Sequence, residues 1–203
     1  MKKILANAVL RLCGWQVKGV APEIDQCVVI AAPHTSNWDF IWMKLMAWTL
    51  DWQINWLGKH TLFTGIGGGV MLWWGGVPID RRSKQDTVSQ VVERFDRGDK
   101  LMLMIPAEGT RSYSENWRSG FYHIARGAGV PVVLSFLDFK TRTGGIGPAI
   151  YMSDDMTADM NQIRSFYSGM EGKFPELSGP MYLSEEQGKE QSKEQSKEQE
   201  SES

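Results

Sequence analysis

The sequence has little cysteine, little histidine and no marked excess of either charge, and each shortage removes a class of function. Its 2 cysteines, Cys13 and Cys27, have neither metal-ligand nor redox spacing. Cys27 opens an apolar run, where a small buried thiol is the ordinary reading and a reducing compartment the expectation. The 3 histidines, His34, His60 and His123, have no ligand-like spacing with nearby acids, so no metal centre is expected. The balance of 22 basic against 24 acidic residues leaves a formal charge of −2. These cations are spread along the chain rather than gathered into one run, which argues against nucleic acid as a partner. A long hydrophobic run is missing too. The basic, apolar start at residues 1–12 is broken by Arg11 and falls far short of the ~20 residues that span a bilayer.

What is present is a chain of 203 residues that is 42% hydrophobic, enough for one substantial core and one domain. Its 9 tryptophans and 11 methionines suit irregular apolar cavities and membrane interfaces, which makes lipid a candidate partner. Ile4, Leu5, Ala8, Val9 and Leu12 recur at helical spacing, so residues 1–18 read as a short amphipathic N-terminal helix. Lys2, Lys3 and Arg11 could meet lipid head groups, with packing on the domain as the alternative. Residues 19–183 form the domain. Residues 184–203 repeat a Lys-Glu-Gln-Ser unit without core-forming residues and read as a disordered low-complexity tail.

Within the domain, apolar runs at 27–32, 101–105, 130–136 and 147–152 read as strands, with a short extended piece at 76–79. Helical patterns cover 38–52, 88–95, 119–127 and 156–167, the second with Ser83 or Asp86 as cap and Gly98 as stop. Trp38, Ile41, Trp42, Leu45, Trp48 and Trp52 form a stripe that is core first and, secondarily, a wall for an acyl chain. Strands alternating with helices predict a single α/β domain with a mostly parallel central sheet flanked by helices. The last two strands are expected to form an antiparallel edge hairpin near the C-terminus. The glycine-rich stretch 64–76 fails the dinucleotide fingerprint, whose last glycine would fall at Val70, and reads as a flexible loop and turn.

Three polar segments follow strands. Pro33-His34-Thr35-Ser36-Asn37-Trp38-Asp39 places a histidine in a strand-to-helix turn and an acid in the first helical turn, with Ser36 or Asn37 as cap. A carboxylate there could fix the imidazole tautomer and leave the other ring nitrogen free to accept a proton from a hydroxyl. A capping aspartate beside an incidental histidine explains the spacing equally well. Arg81 and Arg82 end the second segment. In the third, Glu108-Gly109-Thr110-Arg111, glycine admits close backbone approach and arginine can grip a phosphate bidentately. The alternative is a turn with an exposed Glu/Arg pair. Strand carboxyl ends in open α/β sheets form one crevice, so the three could share a pocket for a hydroxyl-bearing phosphate ester. Donors near Gly109 or the histidine turn would then stabilise an oxyanion.

In order along the chain, His34/Asp39, Gly76 to Arg81, Glu108-Gly109-Thr110-Arg111 and Val130-Pro131-Val132 match four sequence blocks. With these the chain resembles the glycerophospholipid acyltransferases, the group containing 1-acylglycerol-3-phosphate acyltransferase, over roughly residues 10–180. That resemblance implies transfer of a fatty acyl group from acyl-CoA or acyl-carrier protein to the hydroxyl of a lysophospholipid or glycerol phosphate. His34 would be the base and Asp39 its orienter, with Arg81, Glu108, Gly109, Thr110 and Arg111 at the acceptor phosphate. No cofactor, metal or serine or cysteine nucleophile is implied. The partners would be an acyl thioester, a phosphate-bearing lipid and the cytoplasmic face of a membrane, bound peripherally. Two departures, Ala107 directly before Glu108 and the Val77-Pro78-Ile79-Asp80 run of the second block, bear on the acceptor. A non-enzymatic lipid-binding protein and a thioester hydrolase are the competing functions.

Overall fold

Alternation along the central strands builds two cores, one on each face of a sheet. In β2 (Gln26–Ala32), Val28, Ile30 and Ala32 face one way and Cys27, Val29 and Ala31 the other, and none is more than 3% exposed. In β5 (Leu101–Pro106), Leu101 and Leu103 join the first core and Met102 and Met104 the second. Such strands, buried on both faces, belong in a three-layer α/β domain. The computed structural model describes residues 1–65, 67–79 and 84–186, the side chains of 84–86 excepted.

The remaining strands are β1 (Gln16–Lys18), β3 (Asn55–Lys59), β4 (Gly76–Ile79), β6 (Val132–Asp138) and β7 (Thr143–Ile150). They form one seven-stranded sheet in the order β1-β7-β6-β2-β5-β3-β4, parallel except for the antiparallel β6–β7 pair. The expected mostly parallel sheet and C-terminal hairpin are therefore present. The hairpin is not at the margin, because β1 pairs outside β7. Strand β7 begins at Thr143, ahead of the apolar run 147–152 read as a strand from sequence, and Arg142 just before it sits at φ 50°, a conformation that side chains rarely adopt.

One face is covered by α1 (Lys2–Leu12) and α2 (Trp38–Thr49), the other by α4 (Lys84–Asp96), α5 (Gly120–Ala128) and α6 (Met156–Tyr167). Trp117, Phe121, Tyr122 and Tyr167, each at most 2% exposed, fill the second of these layers. Truncating one such aromatic costs about 3–5 kcal/mol. Helix α1 packs on the domain through Ala6 and Leu10, while Ile4, Leu5 and Leu12 remain exposed. The segment 1–18 is not helical throughout, since Gln16–Lys18 is a strand of the sheet. In α2 the buried face runs through Asp39, Met43, Leu45, Met46 and Ala47, whereas Trp38 and Ile41 of the expected core stripe are exposed.

The glycine-rich loop contains a short helix, α3 (Gly68–Trp73). A side chain at Gly68 would put its Cβ 2.2 Å from the Phe63 carbonyl oxygen, so the bare glycine lets the helix start against the preceding turn. At the C-terminal end, Ser184–Glu186 form a helical turn inside the segment read as tail. Glu186 is 1% exposed and accepts two bonds from the Arg164 guanidinium at 2.9 and 3.2 Å. Residues 187–203 and the expected cap Ser83 lie outside the described residues. Among the described residues no helix is long and apolar enough to cross a membrane.

Candidate functional site

Parallel neighbours deliver their carboxyl ends side by side. Ala31 of β2 is in register with Pro106 of β5, so the loops that follow emerge together. His34 leaves the first and Glu108 the second, and the Glu108 Oε2 accepts the His34 backbone N–H at 2.7 Å. Two of the sequence-predicted segments are thus joined directly.

Asp39, in the first turn of α2, points back into the loop. One oxygen, Oδ2, accepts the backbone N–H of Thr35 and of Ser36 at 2.9 Å each and lies 3.1 Å from His34 Nδ1. The carboxylate is 1% exposed and its Oδ1 has no hydrogen-bond partner. Three donors on one oxygen hold the loop and fix the histidine tautomer, with the proton on Nδ1 and Nε2 left as acceptor. The imidazole is 16% exposed, open enough for a substrate to reach it. Asn37 starts the helix without a side-chain cap, and Ser36 Oγ accepts the Trp38 N–H at 3.2 Å. Asp39 is therefore both the loop's anchor and the histidine's partner, so the capping and functional readings describe one group.

Glu108 is 6% exposed, and burial pushes its carboxyl up to about 7, against the lowering influence of the His34 N–H and ring and with Asp39 adding a smaller upward push. Gly109, at φ 68°, lies against Arg118, whose Cγ would be 2.6 Å from any Cβ at that position. Its amide donates to the Pro106 carbonyl at 3.1 Å, so this N–H is already committed and does not serve as a free oxyanion donor. Thr110 Oγ1 accepts the Ser112 N–H, a bond internal to the turn. Arg111 Nη1 donates to Asn37 Oδ1, which brings this exposed guanidinium to the mouth of the histidine loop. Arg81 lies outside the described residues, although β4, which precedes it, ends at the same end of the sheet.

The fourth block lies elsewhere. The Pro131 carbonyl accepts the Val28 N–H at 3.0 Å, at the start of β6 and the opposite end of the sheet from His34. There it takes part in the pairing of β6 with β2. Behind α2, the apolar cavity between Met43, Met46, Trp52 and Met104 is about 20 Å³, far too small for an acyl chain. Among the described residues no group of three His, Cys, Asp or Glu side chains could hold a metal ion.

A match to the family model described as Acyltransferase covers residues 16–134, more than half of the chain, with His34, Asp39 and the 108–111 loop inside it. The chain belongs to the acyltransferase family. A search of curated proteins finds no match. The acyltransferase fold is similar to the crystal structure of the 1-acyl-sn-glycerophosphate (LPA) acyltransferase PlsC from Thermotoga maritima, with a TM-score of 0.54 at 14% identity over 84% of this chain and 80% of that one.

Two features of this acyltransferase site were missed from sequence. Lys59 and His60 emerge from the carboxyl end of β3, a strand with too few apolar residues to register as one. Residues 171–174 cross the histidine loop, with the Phe174 N–H donating to Thr35 Oγ1 at 3.1 Å and Lys173 Nζ 5.3 Å from the Trp38 ring centre. A bare Gly172 makes that crossing possible, since a Cβ would lie 2.7 Å from Thr35 Oγ1. No local motif signals this contact across more than 130 positions.

Proposed function

We propose that this acyltransferase moves a fatty acyl group from a thioester, acyl-CoA or acyl-carrier protein, to the hydroxyl of a phosphate-bearing lipid acceptor of the lysophosphatidate or glycerol phosphate type. The observation that carries this is the buried Asp39 carboxylate on His34 Nδ1, which leaves Nε2 as the acceptor. His34 Nε2 takes the hydroxyl proton as that oxygen attacks the thioester carbonyl. When the C–S bond breaks, the imidazolium returns the proton to the departing thiolate, giving a new ester and a free thiol. Asp39 stabilises the transient imidazolium and keeps the ring oriented. Arg111, Thr110 and Arg81 serve the acceptor phosphate, with Glu108 and Gly109 shaping the loop that carries them. Exposed Lys59, at the same end of the sheet, adds positive charge.

Peripheral binding at the cytoplasmic face of a membrane accords with an exposed apolar surface. Ile4, Leu5 and Leu12 of α1 and Val70, Leu72 and Trp73 of α3 are between 52% and 87% exposed. Lys2 Nζ lies 4.1 Å from the Trp73 ring centre, so the two helices adjoin. Thiol release from acyl-CoA and from acyl-carrier protein, with and without lysophosphatidate or glycerol 3-phosphate, tests the reading. Release that requires an acceptor is expected. Release at the same rate without one would identify a hydrolase, and binding without turnover a lipid carrier.

A further inference from the structure

At the opposite end of the sheet from His34, where β3 begins, a cavity of about 540 Å³ opens between the start of α1, the later turns of α2 and the end of α3. Lys2, Lys3 and Lys44 line it together with Trp48, Trp52 and Trp73. Lys44 is unusual. It is 8% exposed, its Nζ donates once, to the Ile54 carbonyl at 3.1 Å, and among the described residues it has no carboxylate partner. A buried ammonium is ordinarily paired, because leaving it uncompensated costs several kcal/mol. Burial, and secondly the nearby Lys2, lower Lys44 to about 8. The carboxylate in the wall, Asp51, is exposed and makes no ion pair with it.

Other donor-bearing groups border the same space. Helix α1, 11 residues long, has no side-chain cap and no acid in its first turn, so its leading amides and the positive end of its dipole are left open beside the cavity. The Trp52 indole Nε1, on a side chain 6% exposed, is buried without a partner. Lys2 is held over the Trp73 and Trp48 rings, with its Nζ 4.1 and 5.7 Å from their centres. An unpaired buried cation, two further lysines and an uncapped helix start call for an anion with several acceptor oxygens.

We propose that this cavity is a second anion site, separate from the acceptor site at His34, and that its ligand is a phosphate group. Two sources share that chemistry: the head group of an anionic lipid, which the exposed Trp73 in the cavity wall and the exposed Ile4 and Leu5 that follow Lys3 on α1 would bring close, and free inorganic phosphate. The site does not depend on the catalytic reading of His34.

The full chain is titrated with inorganic phosphate at constant ionic strength, following tryptophan fluorescence, and floated with phosphatidylcholine vesicles with or without phosphatidylglycerol. Saturable binding of phosphate, phosphatidylglycerol-dependent flotation or both is expected. Phosphate binding alone identifies the free ion as the source, and flotation alone the lipid. Lys44→Met should weaken whichever is seen at least tenfold, while thiol release on a soluble short-chain acceptor is unchanged. Lys2→Gln, at the exposed start of α1, should weaken it severalfold and keeps the test open if Lys44→Met fails to fold. No saturable phosphate binding together with flotation indifferent to phosphatidylglycerol would overturn the proposal. So would binding that Lys44→Met, or Lys2→Gln in its place, leaves intact.

Discussion

At the scale of the residue, two buried carboxylates act on one histidine in different ways. Asp39 engages the ring and Glu108 the backbone, and burial moves the Glu108 carboxyl from its ordinary 4.5 to about 7. Between those values the folded protein holds a proton that the unfolded chain has released, so stability falls as pH rises through this window and levels off above it. The decline attributable to this group is on the order of 3 kcal/mol. Glu108→Gln keeps an acceptor for the His34 N–H but cannot ionise. Denaturant unfolding from pH 4 to 8 is expected to show a flatter profile for the variant and a gain over wild type that appears only above pH ~5. Equal slopes for both proteins would show that Glu108 ionises freely. Much of this chemistry was legible beforehand, because a five-residue spacing across a strand-to-helix turn constrains where Asp39 can point. The commitment of the Gly109 amide to Pro106 was not, since it depends on the path of a single turn.

At the scale of the element, continuous apolar strands and periodic helices declared themselves, and short ones did not. β2, β5 and β6 carry enough apolar residues to be read alone, and the pattern at 156–167 is the helix α6. By contrast, β1 is 3 residues long and β3 has only Trp56 and Leu57 as large apolar residues. Such strands exist because an adjacent sheet edge accepts them, a tertiary cause that local pattern does not record. The β1–β7 pairing relies on glycine. Gly145, at φ 153°, is in register with Lys18, and a Cβ there would lie 1.9 Å from the Lys18 carbonyl oxygen. Gly145→Ala should therefore displace β1 and cost about 2–4 kcal/mol. Thermal melting would reveal it, and an unchanged midpoint would contradict the stated closeness of the two strands.

For the whole molecule, the parallel arrangement gathers His34, Asp39 and Glu108 at one end of the sheet and leaves an apolar surface on α1 and α3. Composition suggested lipid through tryptophan and methionine, but could not say which of these residues would be exposed. The buried Met43 and Met46 pack in the core, while Trp73 and Leu5 are outside, at 62% and 61% exposure. Leu5→Glu should lower affinity for phosphatidylcholine vesicles severalfold with little change in melting temperature, because the side chain is largely exposed. Vesicle flotation unaffected by the substitution would place the lipid-facing surface elsewhere.

The central claim is that His34, oriented by Asp39, removes the proton from a lipid hydroxyl. Its most direct measurement is the acceptor-dependent rate of thiol release by His34→Ala compared with wild type. A loss of about 10²–10⁴-fold in kcat with the fold intact is predicted for removal of a general base, and full retention of acceptor-dependent turnover would contradict the account.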